Sequence, residues 1–141
     1  MRHRLLIAVL ALAALAVGAT SALADGGATT KPTQHQLIAI AKAFNAGSDI
    51  KTPPSCLKIG ISKSTPNIGA LMVKSTKACE SAQTDTQALV YGNSRAWFTL
   101  AVSNTGQTKA PQCAALQQLI GVNAWQDLAG YVATMGCTNV D

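Results

Sequence analysis

Four cysteines, Cys56, Cys79, Cys113 and Cys137, are the residues of this 141-residue chain with the most chemistry available to them. They can form a disulfide framework, a metal site or a nucleophile. Structural zinc sites present close pairs such as C-x2-C, whereas here 22, 33 and 23 residues separate successive cysteines and no histidines cluster near them. A metal site is therefore not expected. A reactive thiolate needs a basic partner. Apart from His3 the chain has one histidine, His35, at the polar start of a predicted helix, where it reads as a solvated residue. Staples are the remaining reading.

Other catalytic equipment is sparse. No G-x-S-x-G elbow, H-E-x-x-H, phosphate loop or dinucleotide fingerprint occurs, so no cofactor is expected. The acids are Asp25, Asp49, Glu80, Asp85, Asp127 and Asp141. Glu80 and Asp85 flank a polar turn. Asp127 reads as a carboxylate near the start of a helix, favoured there by the helix dipole. The chemistry left to the charged residues is electrostatic: Lys58, Lys63, Lys74 and Lys77 lie on or beside one predicted hairpin and form a candidate anion-binding patch. The same lysines also serve to solvate a sheet edge and deter strand pairing. No aromatic platform accompanies them, so nucleic acid is not the expected partner.

The start of the chain sets the compartment. Arg2, His3 and Arg4 precede an apolar run over residues 5–17, and Ala22-Leu23-Ala24 forms an A-x-A cleavage site. The run is shorter than the roughly 20 residues that span a bilayer. A cleaved signal peptide over residues 1–24 is expected, giving a secreted, periplasmic or extracellular protein of 117 residues with no membrane span. Four cysteines in an exported chain favour two disulfides. Four cysteines allow three connectivities, and spacing alone does not choose among them.

The elements that position these residues follow from periodicity. Residues 25–32 are small and polar and read as a flexible leader, followed by a single domain over 33–141. Thr33 and Gln36 form a capping box for a helix whose Leu37, Ile40, Ala41 and Phe44 share one face. Leu57–Ser62 alternates like a half-buried strand, and Ile68–Val73 is apolar at both parities, like a strand covered on both faces. Residues 87–91 and 96–103 are two more strand candidates around a Gly92-Asn93 turn, with Phe98, Leu100 and Val102 on one face and Trp97 and Thr99 on the other. Residues 113–120 read as a short helix interrupted at Gly121, and Asn123 as the cap of a second helix running to about Met135.

The expected fold is therefore α+β: an N-terminal helix, an antiparallel sheet of three or four strands and a C-terminal helical pair. If Leu57 to Val73 is a hairpin, Cys56 and Cys79 flank its open end, and a bond between them contributes roughly 3 kcal/mol in the chain-entropy model. A single unbroken helix would hold Cys113 and Cys137 about 36 Å apart. A fold-back at Gly121 brings them within reach of one another.

Charge divides the chain. Without the leader it carries nine Lys and Arg against six acids, or +3; residues 25–78 account for +5 and residues 79–141 for −2.

The order Cys56-Leu-Lys-Ile-Gly-Ile-Ser62, Cys79, Trp97-Phe98-Thr99-Leu100, Cys113, Asp127-Leu128, Cys137 resembles that of small, uncharacterised secreted bacterial α+β proteins with a disulfide framework. The resemblance covers about two thirds of the exported chain. It implies a fold and carries no activity, and Gly121 departs from it, since similar proteins often have proline near that position. Two functions follow as expectations. One is a non-enzymatic binding or interaction protein, whose partner is an anionic envelope polymer or an extracellular protein. The other is a small extracellular hydrolase whose acids converge only in the fold. The first accords better with the absence of catalytic motifs.

Overall fold

A computed structural model describes residues 28–93 and 95–138. The expected signal peptide, together with Asp25 and Asp141, lies outside the described residues. Five strands, β1 (Thr29–Thr30), β2 (Leu57–Ser62), β3 (Ile68–Val73), β4 (Thr86–Gly92) and β5 (Trp97–Asn104), form one antiparallel sheet in the order β1-β2-β3-β4-β5. Helix α1 (Gln34–Asn45) packs on one face. Helices α2 (Ala110–Ile120), α3 (Val122–Asp127) and α4 (Ala129–Thr134) cover the other. The fold is α+β, as the periodicity predicts, with one strand more than expected and with the second helix of the expected C-terminal pair divided at Leu128 into α3 and α4.

Two cores result because the central strands are apolar at both parities. Leu71 and Val73 of β3 and Ala88 and Val90 of β4 meet Leu57, Ile59 and Ile61 of β2 beneath Ile40, Ala41 and Phe44 of α1. Ile68, Ala70 and Leu89 point the other way and pack with Ala124, Trp125, Leu128, Val132 and Met135. The predicted capping box opens α1: Thr33 Oγ1 accepts from the Gln36 N–H at 3.2 Å, and Gln36 Oε1 accepts from the Thr33 N–H at 2.9 Å.

The extra strand is β1, which pairs Thr29 with Ser62 and Thr30 with Ile61. It falls in the stretch read from sequence as a leader, where two threonines carry no periodic signal. Tertiary pairing along β2 makes the strand.

Both disulfides join the cysteines that hairpin and fold-back geometry favour. Cys56–Cys79 ties the start of β2 to a single 3₁₀ turn after β3, with Cα atoms 5.7 Å apart. Cys113–Cys137 ties α2 to the segment after α4 at 5.5 Å. The fold-back occurs where expected, at Gly121, whose φ of 87° is a left-handed conformation that glycine adopts at little cost.

Three local readings are corrected. Helix α2 starts at Ala110, earlier than expected, because Pro111 sits in its first turn and Gln112 Oε1 accepts from the Lys109 N–H at 2.9 Å. Asn123 is not a cap, since Gly121 occupies that position and α3 begins at Val122. The faces of β5 also differ. A bulge pairs Leu89 with Ala101 but Val90 with Thr99, leaving Leu100 as the extra residue. Val102 therefore lies opposite Ala88, on the α1 side with Thr99, while Leu100 packs into the other core with Tyr91.

Candidate functional site

The four lysines of the predicted patch do not all converge. Lys58 is exposed on β2, opposite Met72. Lys74 follows β3, and its Nζ donates to the Ser55 carbonyl at 2.8 Å. Lys77 is exposed in the 3₁₀ turn that carries Cys79. These three surround the open end of the β2–β3 hairpin. Lys63 sits at its loop end, five residues from Lys58 and thus roughly 17 Å away along an extended strand, where its N–H donates to the Ala28 carbonyl.

Asp127 has a different role from the one expected. It is the last residue of α3, and it reaches across to the β2–β3 loop. Its Oδ2 accepts from Ser62 Oγ at 2.7 Å, from the Ser64 N–H at 2.8 Å and from Ser64 Oγ at 2.6 Å. Donation from the Ser64 hydroxyl, with further help from backbone amides and Ser62, holds its carboxyl below the usual aspartate range against an opposing desolvation effect. Ser62 also accepts from the Thr65 N–H at 2.9 Å, so one carboxylate organises the whole loop. It is an anchor between layers.

The other ionisable residues are spread out. Asp49 lies in the α1–β2 connection, Glu80 follows the 3₁₀ turn and Asp85 precedes β4. Asp49 and Asp85 line separate clefts. His35 is exposed at the start of α1 and lines a third cleft with Arg95, Tyr91 and Trp97. Among the described residues no three His, Cys, Asp or Glu side chains group as a metal site would need.

The surface that stands apart was not singled out from the sequence. Strand β5 has eight residues and, among the described residues, one sheet neighbour. None of its residues is fully buried, whereas six of the seven in β4 are. Phe98 is 49% and Val102 57% exposed. A cleft runs along each face of this edge. On the α1 side its apolar lining, Ala43, Phe44, Ile50 and Val102, is joined by Ser48, Asp49 and Gln83. On the other it is lined by Ala101, Val102, Ser103, Ala115, Leu116 and Met135. Val102 borders both.

Monomeric proteins guard sheet edges with lysines, prolines, short strands, bulges or covering loops. The β1 edge follows that rule, with two residues and with Lys58 and Lys63 on or beside the neighbouring β2. The β5 edge has a bulge and no charge. From Ala96 to Gln126 the chain carries one charged side chain, Lys109, and that stretch was the signal available in the sequence.

Among the described residues no helix is long and apolar enough to cross a membrane. The two disulfides accord with an oxidising compartment. No family model matches the chain, and neither a curated protein nor a solved structure matches it.

Proposed function

We propose that this is an exported, disulfide-stabilised, non-enzymatic interaction protein whose recognition surface is the free edge of β5. The observation that carries the reading is the long, half-exposed strand edge, uncharged along β5 itself, with a cleft of mixed apolar and polar lining on either face. Such an edge offers unpaired backbone donors and acceptors to an added strand, and clefts above and below receive its alternating side chains. The two disulfides and the Asp127 anchor hold the scaffold rigid, so little ordering accompanies binding. Export follows from the leader pattern of residues 1–24. Lysines at the open hairpin end remain a candidate contact for an anionic envelope polymer, secondary to the strand edge because Lys63 lies apart from the other three.

A photo-cross-linking residue in place of Val102, in protein exported by its native leader, tests the reading. The control position is Ile38, which is exposed and borders neither β5 cleft. Discrete adducts from position 102 and none from position 38 are expected. Equal labelling from the two positions, or none from 102, overturns the assignment.

A further inference from the structure

We infer that the occupant of the β5 edge is a second copy of the same chain, laid antiparallel so that two five-stranded sheets become one of ten strands. The inference rests on the reading of that edge as the recognition surface. Three observations favour a copy over a bare extended peptide.

The exposed apolar surface extends beyond the strand. On α2, Gln112, Ala115 and Leu116 line the cleft beside β5, and Leu119, 63% exposed, lies one turn beyond Ala115 and Leu116 on the same stripe. On α1, Ala39 and Ala43 border clefts shared with Trp97 and with Thr99 and Val102. A lone peptide strand would leave Leu119 in water. A second three-layer molecule brings a helix flank against each helix flank, and alanines there allow close approach.

The surface is also compatible with itself. A two-fold interface sets each patch against its own duplicate, so any net charge is doubled across it. Residues 96–108 have no ionisable side chain. Along the strand itself no like charges are therefore opposed, as they would be if the lysine-bearing edge faced itself; the charges beside it are Asp49, in the cleft on the α1 side, and Arg95, just before Trp97.

The dimensions bear on this as well. Eight residues of strand span about 26 Å, and since a standard stable interface takes roughly 800 Å² per partner, the helix flanks on either side have to contribute with the strand.

Sedimentation velocity on the protein with both disulfides formed, over about 1–100 µM, compares the wild type with Val102→Lys and with Leu119→Lys. Both side chains are mostly exposed, so the variants keep the fold, which far-ultraviolet circular dichroism and absence of free thiols verify. A dimer is expected for the wild type, with association weakened about 100-fold in Val102→Lys, which buries an ammonium group from each copy in the shared edge, and about 10-fold in Leu119→Lys. A wild type that stays monomeric overturns the second copy as occupant. In that case position 102 adducts with the mass of a different protein would leave the recognition surface standing, and absence of adducts would remove it too. A dimer unaffected by Val102→Lys places the interface elsewhere and overturns the inference.

Discussion

Ser62 and Asp127 lie 65 positions apart in sequence, and the Ser62 hydroxyl donates to the Asp127 carboxylate at 2.7 Å. The bond joins the end of β2 to the end of α3. Because Ser64 and Ser62 stabilise the ionised carboxylate, its folded value lies below the unfolded one. The unfolded chain then binds more protons in the window below about pH 4, so this contribution is complete above that pH and is lost as pH falls through the folded value. Asp127→Asn should lower stability by about 1 kcal/mol at neutral pH, discounted from buried charged hydrogen bonds because the site is partly exposed. Urea unfolding at pH 7 and pH 3 measures both. A wild-type to variant difference that is the same at the two pH values contradicts the ionised anchor.

A second prediction concerns the loop after α1. Asn45 Nδ2 donates to the Thr52 carbonyl at 2.9 Å and the Thr52 N–H donates to Asn45 Oδ1 at 2.8 Å. The Thr52 hydroxyl is buried and has no hydrogen-bond partner among the described residues. Thr52→Val keeps the volume and the backbone bonds while removing the stranded hydroxyl. It should raise stability by about 1 kcal/mol, read as a higher urea midpoint with an unchanged slope. A lower midpoint would show that the hydroxyl is satisfied in solution.

The two disulfides close loops of nearly equal separation, 23 and 24 residues, so their loop-entropy contributions are nearly equal at about 3 kcal/mol. What they hold differs. Cys56–Cys79 staples a hairpin already fixed by strand pairing. Cys113–Cys137 spans α3 and α4, six residues each and too short to persist alone. The Cys113→Ala, Cys137→Ala pair should therefore be more destabilising than Cys56→Ala, Cys79→Ala, with amide protection lost first in α3 and α4. Equal midpoints for the two double variants would contradict that ordering. Thiol titration of the denatured, unreduced wild type should find essentially no free thiol.

Much of this architecture was legible because local chemistry and tertiary structure agree. Thr33 and Gln36 announce α1, the double-parity apolar run of β3 announces burial on both faces, and the cysteines flank the turns that unite them. What was not legible depends on partners distant in sequence. Strand β1 exists only through β2, and the Leu100 bulge becomes visible only in the register with β4. Asp127 looked like a helix-start carboxylate because Ser62 and Ser64 are far away in the chain. Glycine at position 60 has a similar origin: a Cβ there would approach the Tyr131 ring to 2.7 Å, a contact no local pattern reveals. Four lysines close in sequence suggested a patch, yet extension along β2 carries Lys63 to the opposite end.

The most direct test of the central claim is hydrogen exchange in β5 at low and high protein concentration. Amides of β5 that face away from β4 have no sheet partner among the described residues of a single chain. They should exchange rapidly in dilute protein and become protected as concentration rises, while amides in β3 remain equally protected throughout. Exchange in β5 that is independent of concentration, at concentrations reaching 100 times the range in which a standard interface associates, roughly micromolar, would contradict pairing of the β5 edge with its own copy.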